Sequence, residues 1–251
     1  MIKSKLISKH KYISHGFFNK LGGYSDGIYK SLNCGKGSKD NKANIKKNLK
    51  FVSKKINVKL NNLKLMHQTH SNKVIFISKN NRRAKNFYSD ALITNIKGYA
   101  LGVVTADCVP IILYDSKNQF IGCIHAGWKG AFSGIVENTI RKFKRLNSKN
   151  EILASIGPCI GQKSYEVDIN FYKKFLSQSK KNKAYFIKKN NLKKLFNLRK
   201  YVNDKLLKLN VKVDHVNHDT FKEKSSFFSF RRSQKLLEKD YGRCISVISL
   251  V

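Results

Sequence analysis

The sequence predicts an α+β fold in which mixed β-sheets pack between helices, and three observations carry that reading. Runs rich in β-branched and aromatic residues recur along the chain; apolar residues at helical spacing lie between some of them; and the two patterns do not alternate strictly, as a doubly wound parallel sheet would require. The strand-like runs are residues 74–78 (VIFIS), 90–94 (DALIT), 100–104 (ALGVV), 109–114 (VPIILY), 120–126 (FIGCIHA), 152–156 (ILASI), 226–230 (SFFSF) and the C-terminal CISVISLV. Helical spacing appears at Ile45, Leu49, Val52 and Ile56, with Asp40 placed to cap. It recurs at Val136, Ile140 and Phe143, in a segment through Leu176 that Asp168 can cap, and at Leu198, Val202, Leu206 and Leu209.

With 251 residues, 41% hydrophobic and 11% aromatic, the chain is long enough to bury a substantial core. No Pro/Gly/Ser-rich linker and no fixed-period repeat divides it, so a single domain over residues 1–251 is expected. Lys and Arg number 51 against 15 Asp and Glu, a formal charge of +36, which raises nucleic acid as a partner. The positive residues are spread from Lys3 to Arg243 among many Asn, Ile and Phe with only two Pro, the composition an AT-rich genome also produces. Either origin implies nonspecific, salt-sensitive attraction to polyanions.

The N-terminal MIKSKLISKHKYIS lacks the apolar segment of a signal peptide, and no run approaches the roughly 20 apolar residues of a membrane span. A cytoplasmic location, without membrane association, is the expectation. Five cysteines, odd in number and without a CxxC pair, argue against a disulfide framework and for reduced thiols.

Reactive residue types concentrate in three segments: residues 66–70 (MHQTH), 105–108 (TADC) and 124–128 (IHAGW). Runs 109–114 and 119–124 flank Asp115-Ser116-Lys117-Asn118, which suits a four-residue hairpin loop, and paired residue numbers then sum to 233. Extending that register puts Cys108 opposite His125 on one face, within reach of a shared ion. A shift of one residue would turn them to opposite faces. One thiolate and two imidazoles, with His70 as the third donor, form a suitable shell for zinc and leave a fourth position for water or substrate. A metal-free reading uses Cys108 as nucleophile and His125 as base, with Asp107 or Asn33 orienting the imidazole; that reading can spare His70. Gly22-Gly23 and Gly127 with Gly130 read as turns or close backbone approaches. Arg231-Arg232 can form a bidentate anion clamp or a solvated pair.

At these residues the chain resembles the bacterial laccase-domain purine nucleoside phosphorylases, also known as multicopper polyphenol oxidases and peptidoglycan editing factors. The matching pieces are HGFFNKLGGYSDGIYKSLNCG from His15, HQTHSNKV from His67, DALITN from Asp90, TADCVPIILYD from Thr105, HAGWKGAFSGIVENTI from His125, SIGPCIGQKSYEV from Ser155 and FFSFRRSQ from Phe227. The resemblance implies a fold of the cytotoxic necrotizing factor-like cysteine hydrolase type, and zinc held by His70, Cys108 and His125. It implies phosphorolysis of adenosine, inosine and methylthioadenosine together with adenosine deamination, so purine nucleosides and phosphate are the expected partners, with Asn33, Arg231 and Arg232 as candidate substrate contacts. Alternatives are a Cys-nucleophile hydrolase editing peptidoglycan precursors, or weak phenol oxidation with copper substituting for zinc. Three positions depart from the family pattern, with Lys20 and Lys129 in place of Arg and Asp219 in place of Cys; the lysines lack the planar fork of Arg. A multicopper centre calls for about ten imidazoles, an expectation from nitrogen-rich copper chemistry. This chain has seven His.

Overall fold

The computed structural model describes residues 1–84, 86–146 and 151–251. In chain order the elements are β1 (Ile13–Phe17), α1 (Lys42–Lys55), β2 (Leu63–Leu65), β3 (Val74–Ile77), β4 (Ala91–Thr94), β5 (Ala100–Thr105), β6 (Val109–Asp115) and β7 (Phe120–Ala126). Then come α2 (Trp128–Phe132), α3 (Ile135–Arg145), β8 (Ile152–Ile156), β9 (Glu166–Asp168), α4 (Ile169–Gln178), β10 (Phe186–Lys188) and β11 (Lys193–Phe196). α5 (Leu198–Lys208), β12 (Lys212–His215), α6 (Phe230–Lys235) and β13 (Cys244–Leu250) complete the set.

Both principal sheets are mixed. Six strands run β12-β8-β6-β7-β4-β3, with the outer pairs β12/β8 and β3/β4 parallel and the pairs between them antiparallel. Four strands run β1-β13-β5-β2, parallel only at β2/β5. A small third sheet, β10-β11-β9, stands apart from these two.

Side-chain alternation on the central hairpin explains the layering. Ile111, Leu113 and Ile124 point to one face and pack against Val136, Ile140 and Phe143 of α3 and Val202 and Leu206 of α5. Ile112, Tyr114, Ile121 and Cys123 point to the other and meet Leu101, Val103 and Ile248 of the four-stranded sheet. The far face of that sheet, through Ala100, Ile245 and Val247, is covered by Ile45, Leu49 and Val52 of α1. The order is therefore helix, sheet, sheet, helices. Burial on both faces is why β6 and β7 read as unbroken apolar runs instead of alternating ones.

Two local expectations are corrected. Asn41, not Asp40, caps α1 by accepting from Ala43 N, while Asp40 is buried and accepts from Ser25 Oγ and Asn33 Nδ2. Residues 226–230 form no strand. Phe227 and Phe228 fill a small cluster with Ala106 and Cys244, and Ser229 caps α6, so these rings are buried by a turn and a helix start. A short apolar run reports burial without fixing which element supplies it.

His15, on β1, is buried, and its Nε2 accepts from Ser4 N at 3.0 Å. Burial first, then the charge of Lys3, push its pKa down to about 4, against a smaller upward pull from Asp214. The unfolded chain therefore binds more protons between pH 6.5 and 4, and stability falls as pH drops through that window by on the order of 3 kcal/mol. Urea unfolding of His15→Gln across this range is expected to show a shallower pH slope than the wild type. An unchanged slope would assign the acid sensitivity elsewhere.

Candidate metal centre

Cys108 lies just before β6 and His125 at the end of β7, so two antiparallel central strands deliver both donors to the same end of the six-stranded sheet. Observed partners are Val109↔Ala126 and Pro110↔His125, a sum of 235 rather than 233. The slip is two residues, which preserves the face. The loop is four residues long, residues 116–119, and Asp115 closes it by accepting from the backbone N–H of Lys117 and Asn118.

His70 arrives from the connection between β2 and β3. Its φ of 58° is left-handed, uncommon outside glycine, and the surroundings hold it there. Gln68 pairs through both amide atoms with the backbone of Val104, as an extra rung beside β2. Asp90 gathers the rest. Its carboxylate accepts from the backbone N–H of Thr69, His70 and Ser71, from the hydroxyls of Thr69 and Ser71, and from His125 Nδ1 at 2.8 Å.

The donor atoms of His70, Cys108 and His125 lie within 4.8 Å of one another, and Cys108 Sγ stands 3.9 Å from His70 Nε2. Burial by itself raises the Cys108 thiol, but the His125 charge and hydrogen bonds from both imidazoles outweigh it and hold the pKa below the usual thiol range. For His125 burial lowers the pKa, while Cys108 and Asp90 outweigh that and raise it. Sulfur is thus poised as thiolate, the form that ligates a cation or attacks a carbonyl. With Asp90 accepting from Nδ1, Nε2 is the nitrogen left to face an ion. One sulfur and two ring nitrogens fit zinc or a neighbouring borderline cation and leave a fourth position open.

Gly127 follows His125 by two residues. A methyl there would lie 2.8 Å from His70 Cδ2, closer than real contacts allow, and 3.0 Å from Cys108 Sγ, so at least the imidazole must shift. Its φ of −68° is ordinary, so the constraint is space for the donors and not backbone strain. Gly127→Ala is expected to weaken metal binding at least about tenfold, read by chelator competition, while α2 still forms. Wild-type affinity in that variant would mean the donors have room to spare.

Two clefts meet at the triad. One of about 460 Å³ is lined by His67, Gln68, His70, Cys108, His125 and Arg243 among others. The second, about 380 Å³, shares His70, Cys108 and Tyr241 and adds Trp128, Lys129, Tyr165, Phe230 and Arg231.

Other expected contacts fall differently. Asn33 is fully buried; Nδ2 donates to Ser38 Oγ and Asp40 Oδ2, and Oδ1 accepts from Gly35 N and Arg243 N, so its amide is spent on holding these loops together. Asp107, with φ of 86°, accepts from Thr220 Oγ1, Ser229 Oγ and Arg231 N and is equally committed. Neither orients His125; Asp90 does. Arg231 lines the second cleft above Tyr165, whereas Arg232 spends its guanidinium on the carbonyl oxygens of Thr220, Phe221 and Phe227. The two arginines do not form one clamp. Asp219 accepts from Gly161 N and Ser164 Oγ and is joined to Cys159 by a backbone β-bridge, so its carboxylate ties this loop together.

Fold and site together define a mixed-sheet protein with, among the described residues, one cysteine–histidine cluster between two clefts. The chain belongs to the family described as multi-copper polyphenol oxidoreductase laccase, which matches residues 14–251. It is 33% identical to a purine nucleoside phosphorylase of Rickettsia prowazekii, over 89% of this chain and 90% of that protein. It is 30% identical to the Escherichia coli purine nucleoside phosphorylase YfiH, over 92% and 91%. The crystal structure of a Bacillus licheniformis hypothetical protein YfiH superposes with a TM-score of 0.88 at 27% identity, covering 95% of this chain and 93% of that one. Among the described residues a single group of His, Cys, Asp and Glu side chains converges to hold an ion, so the multi-copper description is not matched by several such groups. No helix among the described residues is long and apolar enough to cross a membrane.

Proposed function

We propose that the protein is a zinc-dependent purine nucleoside phosphorylase that accepts adenosine, inosine and methylthioadenosine and also deaminates adenosine, working in the cytoplasm. The observation that carries this reading is the convergence of His70, Cys108 and His125 at the junction of two clefts. The phosphorylase names of relatives covering about nine-tenths of the chain support the substrate class. Five free cysteines suit a reducing compartment.

Zinc bound there supplies a Lewis acid and an open coordination position. The chain's own groups do the rest. Aromatic faces at Trp128, Tyr165, Phe230 and Tyr241 offer surfaces for a purine ring. Arg231, tethered through Nη1 to Glu166 O and through its backbone N to Asp107, lines the same cleft as Lys129, and the two supply positive charge for phosphate oxygens. Phosphorolysis forms a bond from a phosphate oxygen to ribose C1′ and breaks that from C1′ to the purine nitrogen; the base leaves with the electron pair and takes up a proton. The cations hold the phosphate at C1′, and the apolar walls limit competition by water.

Metal-replete protein incubated with adenosine and phosphate is expected to yield adenine, and inosine from deamination. Chelation should stop both and added zinc restore them. Absence of adenine, inosine and hypoxanthine would reject the assignment. A second reading is favoured by one observation: Cys108, His125 and Asp90 also stand in the order of nucleophile, base and orienting carboxylate. A cysteine hydrolase built on them would cleave peptidoglycan-precursor amides after metal removal and without His70.

A further inference from the structure

A third cavity, of about 550 Å³, adjoins the 460 Å³ cleft and shares Lys36, Leu65 and Phe87 with it. Its walls carry Lys36, Lys42, Lys46 and Lys64 over a floor that includes Ile45 and Leu49. Lys42 and Lys46 lie one turn apart on the same stripe of α1. Among the described residues no carboxylate lines the groove, and none of these four ammonium groups has an ion-pair partner. Lys64 is half-buried, and burial together with the nearby Lys36 lowers its pKa. Like charges brought together without a counterion are unfavourable, and an anion between them removes the cost. An apolar floor strengthens that attraction relative to open water.

We propose that this groove takes the phosphate chain of a purine nucleotide whose ribose occupies the adjoining triad cleft and whose base reaches the aromatic faces of the second cleft, so that nucleoside di- and triphosphates bind more tightly than nucleosides. The identity of the base rests on the phosphorylase reading; the groove's preference for phosphate does not. Charge density selects the occupant. A triphosphate concentrates about four negative charges in one small ligand, matching four cations around one groove, whereas a nucleic-acid strand carries one charge per nucleotide and spreads them along its length.

The test is calorimetric binding of adenosine, ADP, ATP and inorganic tripolyphosphate to the full chain at about 0.15 M salt, where distant charges are screened. The variant Lys42→Gln/Lys46→Gln removes two exposed charges while keeping helix propensity. The control Arg141→Gln/Lys142→Gln lowers net charge equally at a separate basic surface on α3. ATP is expected to bind wild type at least about tenfold tighter than adenosine, with tripolyphosphate competing. The groove variant should lose about tenfold for ATP and nothing for adenosine, and the control should leave both unchanged. Equal loss in the control would assign binding to the general field and overturn the proposal. So would equal affinities for ATP and adenosine, or an oligonucleotide binding through the same lysines while tripolyphosphate does not. If ATP binds as expected but no nucleoside is converted, the phosphorylase reading falls and the groove assignment stands. If nucleosides are converted and ATP binds no better than adenosine, the reverse holds.

Discussion

His70→Gly is expected to abolish tight metal binding and to cut nucleoside turnover at least about a hundredfold, while leaving the fold as stable as the wild type or slightly more so. The two halves of that expectation have separate causes. Activity falls on this reading because His70 is one of the three donors that converge to hold an ion. Stability does not fall because His70 is exposed and carries a left-handed φ of 58°, a conformation glycine adopts without a Cβ penalty. The Asp90 contacts to this loop use backbone N–H groups and the neighbouring hydroxyls, which the substitution leaves in place. Chelator competition reads the metal, product analysis reads turnover, and urea unfolding of metal-free protein reads stability. Turnover that survives in this variant would point to the cysteine hydrolase, which needs Cys108 and His125 but not His70. Cys108→Ser is expected to stop either chemistry and so does not separate them.

Much of the framework was legible because burial leaves a periodic trace. α1, α3, α4 and α5 all coincide with apolar spacing read from residues such as Ile45, Val136 and Leu198, and Asp168 caps α4 through Phe171 N as its position suggests. The seven strands read from runs between residues 74 and 156 and at the C-terminus are all present to within a residue or so. β1 and the short strands β2, β9, β10, β11 and β12 were missed, because most span three or four residues and are specified by partners distant in sequence. Residues 226–230 show the converse error, since buried phenylalanines satisfy a strand pattern wherever two rings must be hidden.

The donors were legible for a different reason. Cysteine and histidine beside strand ends are rare enough to stand out, and a four-residue hairpin loop keeps Cys108 and His125 on one face even with the register two residues away from the expected one. What organises them was not read. Asp90 precedes β4, and the β4–β7 register of Ala91↔Ile124 places it directly across from His125. Seeing that needs the pairing of two strands more than 25 residues apart, where no turn fixes the alignment. The same limit hid the committed roles of Asn33 and Asp107. A polar residue near a motif looks available until its hydrogen-bond partners, here Arg243 and Ser229, arrive from the other end of the chain.

Asp90→Asn is accordingly expected to weaken metal binding by about 10–100-fold without touching the ion, and to destabilise the fold by about 2–4 kcal/mol. The carboxylate accepts from three consecutive backbone N–H groups, two hydroxyls and His125, all at an unexposed position. An amide offers one acceptor oxygen, and its NH2 group faces donors, so several of those bonds are lost together. His125 then loses the partner that fixes its tautomer and aims Nε2 at the ion. Burial alone would raise the Asp90 pKa; the hydrogen bonds from His125 and Ser71 outweigh it and bring it to about 2. Because the folded value lies below the ordinary 3.8, the associated stability is fully present above pH 3.8 and is lost as pH falls through 2, a contribution of about 2 kcal/mol. The asparagine variant should lack that part of the acid limb. Zinc bound with wild-type affinity, or an acid limb unchanged from the wild type, would show that the ligand loop and the imidazole are held by something other than Asp90.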